Sequence, residues 1–205
     1  NLIESDRSLV GVDSIASDIN LNDLIDQRIK NAIRLADNKG CTRDEVSAFL
    51  CALSILPPPV PIDEMATAFG ISCSEIESFA ADISPLLERT RHGLIFRDEP
   101  TETLVRQTYG QQLSLLDGVV SRLGEAQSSS VNAARSLPGM LFTMGKIDQL
   151  RALAFDMRFP SKLDSDLAKR TIRLNRLRMA LGAATKKKDF SATVELLVEL
   201  AALVI

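Results

Sequence analysis

The sequence predicts a mainly α-helical fold: a winged helix-turn-helix followed by an α-solenoid. Three observations carry this expectation. Apolar residues recur at helical spacing through most of the 205 residues. Capping signals and Pro or Gly breaks divide them into separate helices. Only around residues 86–97 do two short apolar runs flank a Gly-containing turn, as in a β-hairpin. Aromatic residues are only 4%, with no Trp and one Tyr, which further weakens an all-β reading.

The elements follow in order. The first twenty residues lack periodicity and read as a linker or frayed remnant. A helix is expected near Leu21–Ala36, ended by Gly40. Thr42-Arg43-Asp44-Glu45 reads as a capping box opening a helix that Pro57-Pro58-Pro59 stops after Leu56. Pro61 starts a short helix, Ile62–Phe69, which Gly70 closes. Ser74-Glu75-Ile76-Glu77 reads as a second capping box, with Ile76, Phe79, Ala80 and Ile83 on one face and Pro85 disturbing the last turn. Leu86–Thr90 and Leu94–Arg97 form the hairpin around Arg91-His92-Gly93. Helix, short helix, turn, helix and hairpin is the order of a winged helix-turn-helix.

Six further helices are expected, over Thr101–Gly110, Gln112–Leu123, Ser130–Met144, Ile147–Phe155, Leu163–Lys186 and Ser191–Val204. Their short connections, with Ala133, Ala134, Ala152, Ala183, Ala184 and Ala201 at close approaches, resemble a solenoid of tetratricopeptide type. The organisation is therefore a linker and connecting helix at 1–41, a winged-helix domain at 42–110 and a helical-repeat segment at 111–205. Charge divides similarly: the net −3 conceals −8 in residues 1–100 and +5 in residues 101–205. The apolar run Leu200–Ile205 suggests a segment cut from a longer polypeptide.

The residue inventory argues against catalysis within this segment. Its three cysteines are widely spaced and form no C-x-x-C pair; with one histidine, His92, a zinc site is disfavoured. Reduced thiols fit a cytoplasmic setting, and no apolar stretch is long enough to span a bilayer. Gly139–Ile147 imitates a phosphate loop but has five residues between its glycines, not four, and Ile147 where a hydroxyl would hold Mg²⁺. It reads as a helix–helix elbow. Asp44/Glu45, Asp63/Glu64 and Glu75/Glu77 all fall in first helical turns, where they complement the helix dipole.

Nucleic acid is disfavoured as a partner. The helix expected to enter the major groove carries Glu75, Glu77, Asp82 and Glu88 and no cation before Arg89. A basic face is expected instead on the long helix, from Lys169, Arg170, Arg173, Arg176 and Arg178. It reads as solvated or as a surface for an acidic partner. The opposite stripe, Leu163, Leu167, Leu174, Leu177 and Leu181, is expected to be core.

Ser47–Ser54 through Pro58-Pro59-Val60-Pro61-Ile62, and above all Gly93–Glu102, resemble the winged-helix domain of STAND NTPases, the signal-transducing ATPases with numerous domains. The likeness is greatest to bacterial antiviral members with a tetratricopeptide-like C-terminal sensor. Phe96-Arg97-Asp98 occupies the place of the family's Met-His-Asp-like motif, whose histidine contacts nucleotide phosphates. The resemblance implies nucleotide sensing by Arg97 and Asp98, with Arg97 a permanently charged substitute for the histidine. It implies an ATPase core upstream of Asn1, using ATP/ADP and Mg²⁺, as the intramolecular partner. It implies anti-phage defence, a phage protein as target, and homo-oligomerisation of the parent on activation. The segment itself would need no cofactor and no metal. A STAND-type DNA-binding transcription regulator and a passive helical scaffold are the alternatives.

Overall fold

The computed structural model describes residues 21–37, 42–84 and 86–204. The fold is mainly helical, with one two-stranded sheet among the described residues. The expected linker at 1–20, Gly40, Cys41 and Pro85 lie outside them. Among the described residues, no helix is long and apolar enough to cross a membrane.

Helix α1 spans Leu21–Asp37 and buries Ile25 and Ile29. Helix α2, Arg43–Ile55, begins at Thr42: the Thr42 hydroxyl accepts from Glu45 N–H, and the Glu45 carboxylate accepts from Thr42 N–H. Its run from Val46 to Ser54 is wholly buried, so α2 is the central rod of this half. Helix α3, Ile62–Phe69, stops at Gly70, whose left-handed φ of 69° lets its N–H close on Ala66 O. Helix α4 spans Cys73–Asp82.

The capping box of α4 is built on Ser72, not Ser74. Ser72 Oγ accepts from Glu75 N–H, and Glu75 Oε2 accepts from Ser72 N–H at 2.7 Å. Both serines precede a glutamate by a spacing that sequence reading tolerates. Gly70 sets the choice, because the turn it opens leaves Ser72 extended and Ser74 already helical.

Strands β1, Leu87–Thr90, and β2, Gly93–Phe96, pair antiparallel with Leu87 opposite Phe96. The sequence reading missed a third contribution to this sheet. Val60, just after the prolines, bridges Leu94 with hydrogen bonds in both directions, 2.9 and 2.8 Å. Gly93 makes that approach feasible: its φ is 142°, and a Cβ there would lie 2.1 Å from Val60 O.

Beyond the hairpin come α5 (Glu99–Tyr109), a 3-10 turn (Leu113–Leu116), α6 (Asp117–Ala126), α7 (Val131–Thr143), α8 (Ile147–Phe155), α9 (Asp166–Lys187) and α10 (Phe190–Val204). The helix expected over Gln112–Leu123 is thus divided, and α5 begins two residues early. Asp98 caps α5 by accepting from Thr101 N–H at 2.8 Å, and Pro100 fits its first turn. α9 starts at Asp166 behind its cap Ser165, not at Leu163. The phosphate-loop look-alike is an elbow: Gly139 lies within α7, Gly145 turns with φ 67°, and Lys146 precedes α8.

α6 packs on α7, α7 on α8 and α9, α8 on α9, and α9 on α10. The helical array is joined to the first half through α3, which lies against α6 and α7, and through α5 and the 3-10 turn, which lie against α2. One apolar core runs from Ile25 through Phe49, Leu94 and Leu137 to Leu196.

Candidate functional site

The cations expected to form one exposed face on α9 are divided by the structure. Arg170 and Arg178 are exposed, Lys169 and Arg173 are half-buried, and Arg176 is fully buried at 0% exposure. Arg176 is therefore removed from any accessible partner surface. Its Nη1 donates to the Asp156 and Arg158 carbonyls at 2.7 and 3.2 Å. Its Nη2 donates to Gln127 Oε1 at 3.1 Å, and its guanidinium lies 5.4 Å from the Phe159 ring centre. Gln127 in turn donates to Asp156 Oδ2, which Arg158 also grips. Hydrogen bonding from Arg158 holds the Asp156 carboxyl below its ordinary pKa. The network pins the loop between α8 and α9.

The leucine stripe expected in the core is so only in part: Leu163 and Leu177 are buried, Leu174 and Leu181 are half-buried, and Leu167 is 73% exposed. Lys169, Arg173 and Arg176 share a second stripe with Ala180 and Ala183, both buried. Arg176 can occupy this stripe because loop carbonyls and Gln127 accept from both its Nη groups, although its buried Nε has no partner; Glu199 accepts from Nη2 of Arg173.

Lys169, Arg170 and Arg173 still meet. With Met157 and Phe159 from the preceding loop and Ala202 and Leu203 from α10, they line a groove of about 340 Å³. Arg173 Nη2 donates to Glu199 of α10 at 2.7 Å, while its buried Nε has no acceptor. Lys169 stands 3.5 Å from Asp166, whose side chain is fully exposed. No carboxylate among the described residues pairs with Arg170. Arg178 follows Lys169 by nine positions, half a turn away from it on the helix, and does not line the groove.

Arg97 is exposed where β2 ends, and its N–H donates to Leu86 O at 3.0 Å. Asp98 is occupied as the cap of α5; the hydrogen bonds from Thr101 hold its carboxyl below the ordinary range. The two residues thus stand at the joint where the hairpin leads into α5.

A second feature escaped the sequence reading. Glu64 of α3 is 4% exposed, and its Oε1 has no hydrogen-bond partner. Burial raises its pKa, and a hydrogen bond from the buried Ser136 of α7 opposes that rise. Beside it Asn132 Nδ2 reaches both Asp63 carboxylate oxygens at 3.4 Å, and Arg122 Nε of α6 donates to Ala68 O at 2.9 Å. Its place in a first helical turn accounts for Glu64 locally but gave no sign that α7 covers it.

The described thiols differ. Cys51 is buried, and burial pushes its pKa up to about 11, which makes it unreactive. Cys73 is exposed at the start of α4. No protein-family model matches the chain, and no curated protein matches it.

Proposed function

We propose that the chain is a regulatory and recognition segment of a STAND-type NTPase. Residues 42–99 act as its winged-helix relay, and the helices that follow begin a tetratricopeptide-like solenoid that senses a target. One observation carries the reading. α3, the middle helix of the helix–turn–helix unit, is clamped to α6 and α7 of the array by Arg122–Ala68, Asn132–Asp63 and the buried Glu64. A displacement of the unit therefore cannot leave the array undisturbed, as a relay requires. The bridge from Val60 to Leu94 gives the hairpin the third strand contribution that a winged helix needs.

The exposed side of α4 supports an intramolecular role over reading DNA. It presents Glu75 and Glu77, and the wing's Arg89 is taken by Glu77 at 2.7 Å. Phosphates would meet carboxylates there. In this reading Arg97, at the joint into α5, touches nucleotide held by an ATPase core elsewhere in the polypeptide, and that core supplies ATP/ADP and Mg²⁺. Target binding on the array shifts the resting state towards an oligomeric active one, in defence against phage. For this to be coupling, the target must bind the active state more tightly.

The test is made on the full-length polypeptide. ADP affinity is measured by titration with a fluorescent analogue, for the natural protein and for Arg97→Ala. About tenfold weaker ADP binding in the variant is expected, the loss of one charge-assisted phosphate contact. A full-length polypeptide that binds no nucleotide, or an Arg97→Ala protein with unchanged affinity, would sink the reading.

A further inference from the structure

We infer that the groove between α9 and α10 holds an acidic, amphipathic segment of a protein partner. The inference rests on the reading above only in taking the helical array as the sensing part. Its warrant is charge complementarity joined to an apolar floor. Lys169, Arg170 and Arg173 place three cations on one groove of about 340 Å³. Among the described residues, the carboxylates ion-paired with them are Asp166 and Glu199, and none pairs with Arg170.

Arg173 adds a directional feature. A carboxylate is gripped best by two parallel N–H donors of the guanidinium fork. Arg173 uses Nη2 on Glu199 while Nε, on the same side, stays unpaired. The fork is half used. Its Nε is buried, so an incoming carboxylate can use the whole fork only where it takes the place of Glu199.

The floor decides between kinds of polyanion. Met157 is 57% exposed, and Phe159 and Leu203 stand beside it. A phosphate backbone gains nothing from these side chains, whereas a Leu or Phe anchor of a peptide buries against them. Phe159 is also poorly placed to stack a base, because the Arg176 guanidinium lies over its ring. Carboxylates beside an apolar anchor match both halves of the groove.

The test uses the whole chain and a fluorescein-labelled amphipathic peptide of Glu, Leu and Phe, followed by anisotropy. Binding is expected to weaken with salt. Arg170→Glu, on an exposed side chain, is expected to weaken it about tenfold. Arg178→Glu, off the groove, is expected to leave it unchanged. Glu199→Gln frees the Arg173 fork and is expected to tighten binding, an effect with no counterpart if the pair serves only to hold α10. No binding would overturn the proposal, as would equal binding of a peptide with Ser in place of Leu and Phe. So would equal loss with Arg178→Glu, or displacement of the peptide by duplex DNA at equal charge. Each such result leaves the relay reading standing, since that reading is measured by ADP affinity and not at this groove.

Discussion

Glu64 is a buried carboxyl group with no cation paired to it among the described residues. Its Oε1 lacks a partner, and Ser136 is its hydrogen-bonding neighbour across the α3–α7 contact. Burial raises its pKa above the ordinary 4.5. The sign follows from proton counting. Between the ordinary and the raised value the folded chain holds the proton and the unfolded chain does not. The group's stabilising effect is therefore full below 4.5 and is lost as pH rises through the raised pKa. Denaturant midpoints of the natural chain and of Glu64→Gln, compared across this range, should show the natural chain losing ground as pH rises. A difference that stays constant with pH would mean that Glu64 is already ionised in the fold.

Local chemistry decides most element boundaries, and α4 shows how far. Two serines compete for its cap, and Ser72 holds the reciprocal hydrogen bonds with Glu75. Ser72→Ala should cost about 1 kcal/mol in thermal or denaturant unfolding, and Ser74→Ala clearly less. Equal losses would reassign the cap. The helices were legible wherever such caps, prolines or glycines punctuate the chain, as at Thr42, Pro57, Pro61, Gly70 and Gly145. The orientation of α9 was legible only in part. Its leucines and its cations each repeat at helical spacing; Leu177 is core, as apolarity suggests, but Leu167 is exposed and Arg176 is buried. What draws Arg176 inward is tertiary: its partners are Gln127, Asp156 and Arg158, far away in sequence. Three of the five expected partner-binding cations, Lys169, Arg170 and Arg173, still line one groove. The apolar residues that complete it come from other elements, so spacing along α9 could not find them.

At the scale of the whole molecule, one continuous core joins α1–α5 and the hairpin to the helices that follow. Interfaces of that kind move as packed bodies, not by gradual deformation. Ion pairs carry the connection outward: Arg151 to Glu195 ties α8 to α10, and Arg173 to Glu199 ties α9 to α10. A partner in the α9–α10 groove competes for one of those pairs. Packing runs from α10 through α9 and α7 to α3, the route that the proposed relay would use. Coupling of this sort is reciprocal: whatever the partner does to nucleotide affinity, nucleotide does to partner affinity. The most direct measurement is the rate at which a fluorescent ADP analogue leaves the full-length polypeptide, with and without a saturating amount of the acidic amphipathic peptide. Faster release with the peptide, abolished by Arg170→Glu, is the expected result; release unchanged while the peptide is bound would contradict the account.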